Sequence, residues 1–338
     1  MIKKGVGSMP GASSLAQMFA SVLVLIHAPA WSQTPPPQPP SAEEQQRMRE
    51  AQARFNATPD TQGTGPFAAI KEEVASLPKH VIYRPADLSK LAGKKLGVLV
   101  WGNGACSDDG ASSRMHLLEI ASHGYLAIAN GSIKSGPGIQ PEPPKPPRAD
   151  GQLPPPATSP KQLTEAIDWA LAENSRKGSD LYGRIDPKAL AVAGFSCGGL
   201  QALQVAGDKR LATVIIQNSG IFNAETASRL PSMDIGKDTL KTLHTPVLYI
   251  LGGPKDIAYG NGMDDFHRID HVPAAVANTD VGHGGTYNEP NGGRAAQVAV
   301  AWLEWQLRGD AKAKQWFVGP QCGLCTDKQW TIEAKNLK

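Results

Sequence analysis

The chain has 338 residues, 41% hydrophobic and 19% charged, which supplies a substantial core and argues against intrinsic disorder. Its 34 Lys and Arg against 31 Asp and Glu leave a formal net charge of +3. No long basic run is present, so nucleic-acid binding is not expected. Only one apolar stretch, near the N-terminus, has a membrane-directed character.

That stretch runs from Leu15 to Ile26, after Lys3 and Lys4 and before small residues at Ala28, Ala30 and Ser32. This is the layout of a secretory signal peptide over residues 1–32, too short for a comfortable span. A periplasmic or secreted chain beginning near Gln33 is expected, with no membrane span after cleavage. Residues 33–40 read as a Pro-rich linker, and Ser41 to Phe55 as a charged, Gln-rich solvated helix whose docking is left open, so that 33–64 precedes a body spanning 65–310.

Within the body, His80 to Tyr83 reads as an edge strand and Leu96 to Trp101 as a buried one. Ser113 to Ser122 follows as a helix and Tyr125 to Ala129 as a short strand. Ten of the chain's 28 prolines then fall within 137–160, which marks an insertion rather than core. Ser159 is placed as an N-cap with Pro160 at the first helical position, and Ile167, Ala170 and Leu171 give that helix its apolar face. Leu190–Ala193, Thr213–Ile216, Val247–Leu251 and Pro273–Ala277 supply further strands. A small-residue helix starts at Gly199, and a long helix from Arg294 to Arg308 carries Val298, Trp302 and Trp305. Continuous apolar strands alternating with helices predict a single α/β domain, a mostly parallel sheet covered on both faces. Residues 311–338 read as a polar tail.

The chemistry concentrates at Gly194-Phe195-Ser196-Cys197-Gly198, a G-x-S-x-G between a buried strand and a small-residue helix. A serine at such a turn is held in a strained conformation with its hydroxyl above the sheet. Gly194 and Gly198 relieve crowding, and the helix N-terminus brings positive potential. An activated serine needs a base and a group that orients the base. Both follow in the order Ser, acid, His, after the last two strands: Asp256 in Gly252-Gly-Pro-Lys-Asp256, and His283 among the glycines 282, 284 and 285, which allow its loop to reach the serine. Asp280, Asp264 and Asp265 are rivals for the acid.

Two backbone donors are needed for an oxyanion. One is the N–H of Cys197; the other comes from the loop Gly102-Asn103-Gly104-Ala105-Cys106-Ser107, with Asn103 first and Gly104 or Ala105 next. His267 and His271 have helical i, i+4 spacing but lack the Glu of a zinc-protease motif, so no metal is expected. The four cysteines, Cys106, Cys197, Cys322 and Cys325, allow three pairings in an exported chain. Cys322-Gly-Leu-Cys325 has redox-pair spacing but lies in the tail, where a structural staple is the better reading.

Gly-Asn-Gly after an early strand, Gly-Phe-Ser196-Cys-Gly-Gly, then Asp256, then Gly-His283-Gly resemble the α/β-hydrolase family across Lys79 to Arg308. The likeness is nearest to exported serine esterases of the polyester-hydrolase and dienelactone-hydrolase-like branches. It implies a mostly parallel eight-stranded sheet, no cofactor, and transfer of an acyl group from a small or polymeric ester to water through an acyl-serine. Two departures are Trp101, where many lipases have His, and the Pro-rich stretch 137–160. On the same residues, cleavage of a peptide, lactone or β-diketone is the alternative activity, and a non-catalytic binding scaffold is the rival class. If the oxyanion loops face each other, Cys106 and Cys197 come within disulfide reach, the other possibility being two buried free thiols.

Overall fold

Nine strands form one sheet in the order β1-β2-β4-β3-β5-β6-β7-β8-β9. The strands are β1 (Ala69–Glu72), β2 (His80–Pro85), β3 (Leu96–Gly102), β4 (Tyr125–Asn130), β5 (Ile185–Phe195), β6 (Thr213–Gln217), β7 (Val247–Leu251), β8 (Ala274–Asn278) and β9 (Thr331–Lys335). The computed structural model describes residues 41–140, 155–223 and 233–338. The predicted signal peptide, the 33–40 linker and most of the Pro-rich stretch lie outside the described residues.

β4, β3, β5, β6, β7 and β8 run parallel, and β1, β2 and β9 are antiparallel additions at the two edges. Helices α3 (Pro160–Ser175), α4 (Cys197–Val205) and α5 (Tyr259–Arg268) cover one face; α2 (Arg114–Ser122) and α6 (Gly293–Arg308) cover the other. Successive strand residues therefore enter different cores. Val98, Val100, Val192, Val214 and Ile216 meet α3 and α4, whereas Leu99, Trp101, Ala191, Ala193 and Ile215 meet α2 and α6. Alanines at 127, 129, 191, 193, 275 and 277 keep the second face shallow. Trp101 and Trp302 fill the space and are fully buried. Trp302 also donates from Nε1 to Thr213 Oγ1 at 2.7 Å, so its polar atom is not stranded.

The capping reading at α3 is realised: Ser159 precedes Pro160, and Gln162 completes a capping box. Other expectations need correction. β2 is not the edge, because the four residues of β1 pair outside it. The sheet has nine strands rather than eight, since residues 331–335 of the supposed tail pair with β8. That segment also buries Phe317, Cys322, Leu324 and Trp330 against the face holding Trp302. The body also begins before residue 65. α1 (Ala42–Ala57) ends on buried Asn56, which donates to Ile139 O at 2.9 Å and accepts from Gly136 N–H at 3.0 Å. Buried Arg114 holds the carbonyls of Phe55 and Thr58 and the carboxylate of Asp60. Among the described residues, no helix is long and apolar enough to cross a membrane.

Candidate active site

Every loop that matters leaves the same edge of the parallel sheet. β5 ends at Phe195 and α4 starts at Cys197, so Ser196 is the whole turn, with φ 52° and ψ −121°. A side chain in that region costs about 1–3 kcal/mol and persists only where its surroundings fix it. Here the Ser196 N–H donates to Gln217 O at 3.0 Å, and Ser219 Oγ donates to Ser196 O at 2.7 Å. The glycines are required by contact. A Cβ at Gly194 would lie 2.2 Å from Gly198 O, and one at Gly198 would lie 2.0 Å from Gly102 O.

His283 Nε2 lies 2.9 Å from Ser196 Oγ, and its Nδ1 lies 2.6 Å from Asp256 Oδ1. Asp256 is only 3% exposed. Burial pushes its carboxyl pKa upward, but the His283 hydrogen bond, the N–H groups of Ala258 and Gly252 and the Asn218 amide outweigh it, leaving the value below the ordinary one. An ionised Asp256 keeps the imidazole proton on Nδ1, which leaves Nε2 as acceptor for the serine proton. Gly282, before His283, has a positive φ of 73°, and the close approach falls on Gly252 in the acid loop. Gly282 N–H donates to Gly252 O at 2.8 Å, and a Cβ at Gly252 would meet Gly282 O at 2.0 Å. The acid and histidine loops are thus zipped together by backbone.

The rival acids are engaged elsewhere. Asp280 is paired with Lys255 at 3.2 Å. Asp264 is held by Arg268 and Lys237, which draw its pKa down to about 2. Asp265 is buried beneath Lys237 and accepts the Ile221 N–H; burial pushes its pKa up to about 6. The histidine pair 267 and 271 does not share a helix face, because α5 ends at Arg268. Instead His271 Nε2 contacts Leu243 O at 3.1 Å.

Cys106 and Cys197 form a disulfide with a Cα–Cα distance of 5.2 Å, and Cys322 is bonded to Cys325. The first bond ties the 102–107 loop to the first residue of α4. That loop needs anchoring, since Ala105 and Cys106 both have positive φ, 54° and 47°. Asn103 is fully buried, and its side-chain amide donates to Asn130 O at 2.6 Å and Ser107 O at 3.1 Å. Its side chain therefore braces the loop. Cys106 O receives the N–H groups of Ala157 and Thr158, which fastens the start of the α3 segment to the same loop.

Three contributors escaped the sequence reading. Asn218, just past β6, donates to Asp256 Oδ2 at 2.8 Å. Tyr287 donates its hydroxyl to Asn218 Oδ1. Phe195 packs between Tyr287 and His283, with ring centroids 4.5 and 5.3 Å away. A turn of Asn, Ser and Gly after a buried strand on the reactive edge was the available signal for Asn218. No protein-family model matches the chain, and no curated protein matches it in sequence.

Proposed function

We propose that the chain is a serine hydrolase of carboxylic esters, built as an α/β-hydrolase. One observation carries this reading: the unbroken run from Ser196 Oγ through His283 to buried Asp256, at 2.9 and 2.6 Å, from three loops on one sheet edge. Ser196 Oγ attacks the ester carbonyl carbon while His283 Nε2 takes its proton. The oxyanion is received by the Cys197 N–H at the head of α4 and by a backbone N–H of the 103–105 loop, with Asn103 the leading donor. His283 returns the proton to the departing alcohol. Water, deprotonated by the same nitrogen, then releases the acid and restores the serine. Asp256 orients His283 and stabilises the imidazolium throughout.

Export fits the same reading, because disulfides such as Cys106–Cys197 persist in oxidising compartments. A fluorophosphonate probe tests the activity directly. Wild type is expected to be labelled and Ser196→Ala is not; an unlabelled wild type, or equal labelling of the variant, ends the proposal. A series of p-nitrophenyl esters then reads the acyl preference. A short-chain optimum means a small-ester esterase, and a rise beyond about eight carbons means a lipase or polyester hydrolase, on the same nucleophile.

A further inference from the structure

A carboxylate orients a histidine only if it is itself held. Asp256 Oδ1 takes His283 Nδ1 and the Ala258 N–H at 2.9 Å; Oδ2 takes the Gly252 N–H at 3.1 Å and Asn218 Nδ2 at 2.8 Å. Apart from His283, the only side chain among these donors is Asn218. A primary amide has an acceptor end and a donor end of nearly the same shape, related by a 180° flip. Turned the wrong way, Asn218 would set its oxygen against an ionised carboxylate. Two contacts decide the orientation. The Tyr287 hydroxyl donates to Asn218 Oδ1, and Asn218 Nδ2 also donates to Gly282 O at 3.2 Å.

Tyr287 is well suited to this. It is 3% exposed, and burial, aided by the nearby Asp256 charge, raises its phenol pKa well above the ordinary value, so the hydroxyl stays a donor. It belongs to the segment that carries His283, so its hydroxyl reaches back across Asn218 to the acid loop. Its ring meets Phe195, the residue before the serine. Asn218 thus stands where the acid loop, the histidine loop and the end of β6 converge, and it has a positive φ of 44°.

We propose that Asn218 and Tyr287 are positioning residues of this site: the Tyr287 hydroxyl fixes the Asn218 amide so that its NH2 group faces Asp256 and holds the carboxylate square to His283. The inference rests on the hydrolase reading of Ser196, His283 and Asp256. Neither residue touches the reacting atoms.

The test uses the full protein and Tyr287→Phe, which keeps the ring and removes only the orienting O–H. Turnover of p-nitrophenyl acetate is expected to fall about tenfold in kcat with KM within about twofold, the mark of lost transition-state alignment rather than lost binding. The downfield proton resonance of the His283 Nδ1–H is expected to shift or broaden. Asn218→Asp preserves shape but opposes two carboxylates, and is expected to lower kcat at least a hundredfold at neutral pH. Should Tyr287→Phe fail to fold, a folded Asn218→Asp with wild-type kcat overturns the proposal. A folded Tyr287→Phe with wild-type kcat and an unmoved resonance overturns it as well. A lower melting temperature with unchanged kcat and resonance does so too, because it shows a structural role alone. Fluorophosphonate labelling of the wild type separates the two readings. An unlabelled, inactive wild type overturns the hydrolase reading, and the resonance in Tyr287→Phe then decides by itself whether the hydroxyl orients the Asp256–His283 pair.

Discussion

Cys106–Cys197 spans 91 residues of sequence and joins the two loops beside Ser196, whereas Cys322–Cys325 spans three and closes a short turn packed near strand β9. In the chain-entropy description the long link stabilises the fold by about 4–5 kcal/mol and the short one by about 2 kcal/mol. Location widens the gap. The first bond fixes left-handed backbone at Ala105 and Cys106 against the head of α4, where the proposed chemistry depends on alignment. The second closes a local turn, with Cys322 buried on the face that holds Trp302, and bridges no two loops of the candidate site. The same covalent bond therefore has a local and a global role at the rim, and only a local one at the edge.

The rim should be broken most completely at His283. His283→Ala is expected to cost at least about 10³-fold in kcat/KM on a p-nitrophenyl ester, with little change in melting temperature, by analogy with other Ser-His-Asp sites. Retention of more than a tenth of wild-type activity would remove it from the mechanism. Between the two disulfides, the larger effect belongs to the paired variant Cys106→Ala with Cys197→Ala. Loss of about 4 kcal/mol, read as a melting temperature lower by roughly 8–12 °C, should accompany a fall of about tenfold or more in kcat as the oxyanion donors lose their fixed spacing. Unchanged kcat in the folded double variant would confine this bond to stability.

Much of the rim was legible because strand ends, turn glycines and a fixed order of Ser196, Asp256 and His283 are local signals. Their meeting follows from parallel strands that place each following loop on one edge. The Asn-Ser-Gly turn after β6 marked the position of Asn218 but not its role, and Tyr287 had no signal: an amide after a strand and a tyrosine in a loop acquire a role only once three loops are superposed. The outer strands escaped for another reason. β9 has no fully buried residue, and β1 has only one, Ala69, so neither carries an apolar run; each is defined by its pairing partner. The docking of α1 was hidden likewise, since it rests on polar contacts of Asn56 and Arg114 rather than on an apolar stripe.

Beneath the rim, His116 sharpens the comparison through pH. It is fully buried, its ring 5.1 Å from that of Trp101, and its Nε2 accepts from Gln217 Nε2 at 3.0 Å. Burial lowers its pKa to about 3, only slightly opposed by Glu119. An unfolded histidine titrates near about 6.5, so the unfolded chain gains a proton below that pH while the folded one does not. The contribution to stability is full above about pH 6.5 and is lost progressively as pH falls toward 3. At pH 5 the loss is about 2 kcal/mol. Urea unfolding of wild type and His116→Gln at pH 7, 6 and 5 should give a steeper decline for wild type; parallel curves would acquit His116.

The smallest effect is expected at the outer edge. Removing the second disulfide with Cys322→Ala and Cys325→Ala should lower stability by no more than about 2 kcal/mol, because the loop released is so short. In a domain of this size that is a melting-temperature change of roughly 4–6 °C. β9 still pairs with β8 along five residues, Ala274 to Asn278, and buried Leu324 and Trp330 still anchor its approach. The turn also retains backbone closure from the Gly323 N–H to Gln315 O at 2.9 Å and the Leu324 N–H to Trp316 O at 3.1 Å. Since β8 leads directly into the loop bearing His283, activity is the more searching readout. With β9 in place, β8 does not move, and kcat/KM should stay within about twofold of wild type. A tenfold loss in this folded variant would mean that the edge strand aligns the histidine loop, and the division of roles between the two disulfides would fail.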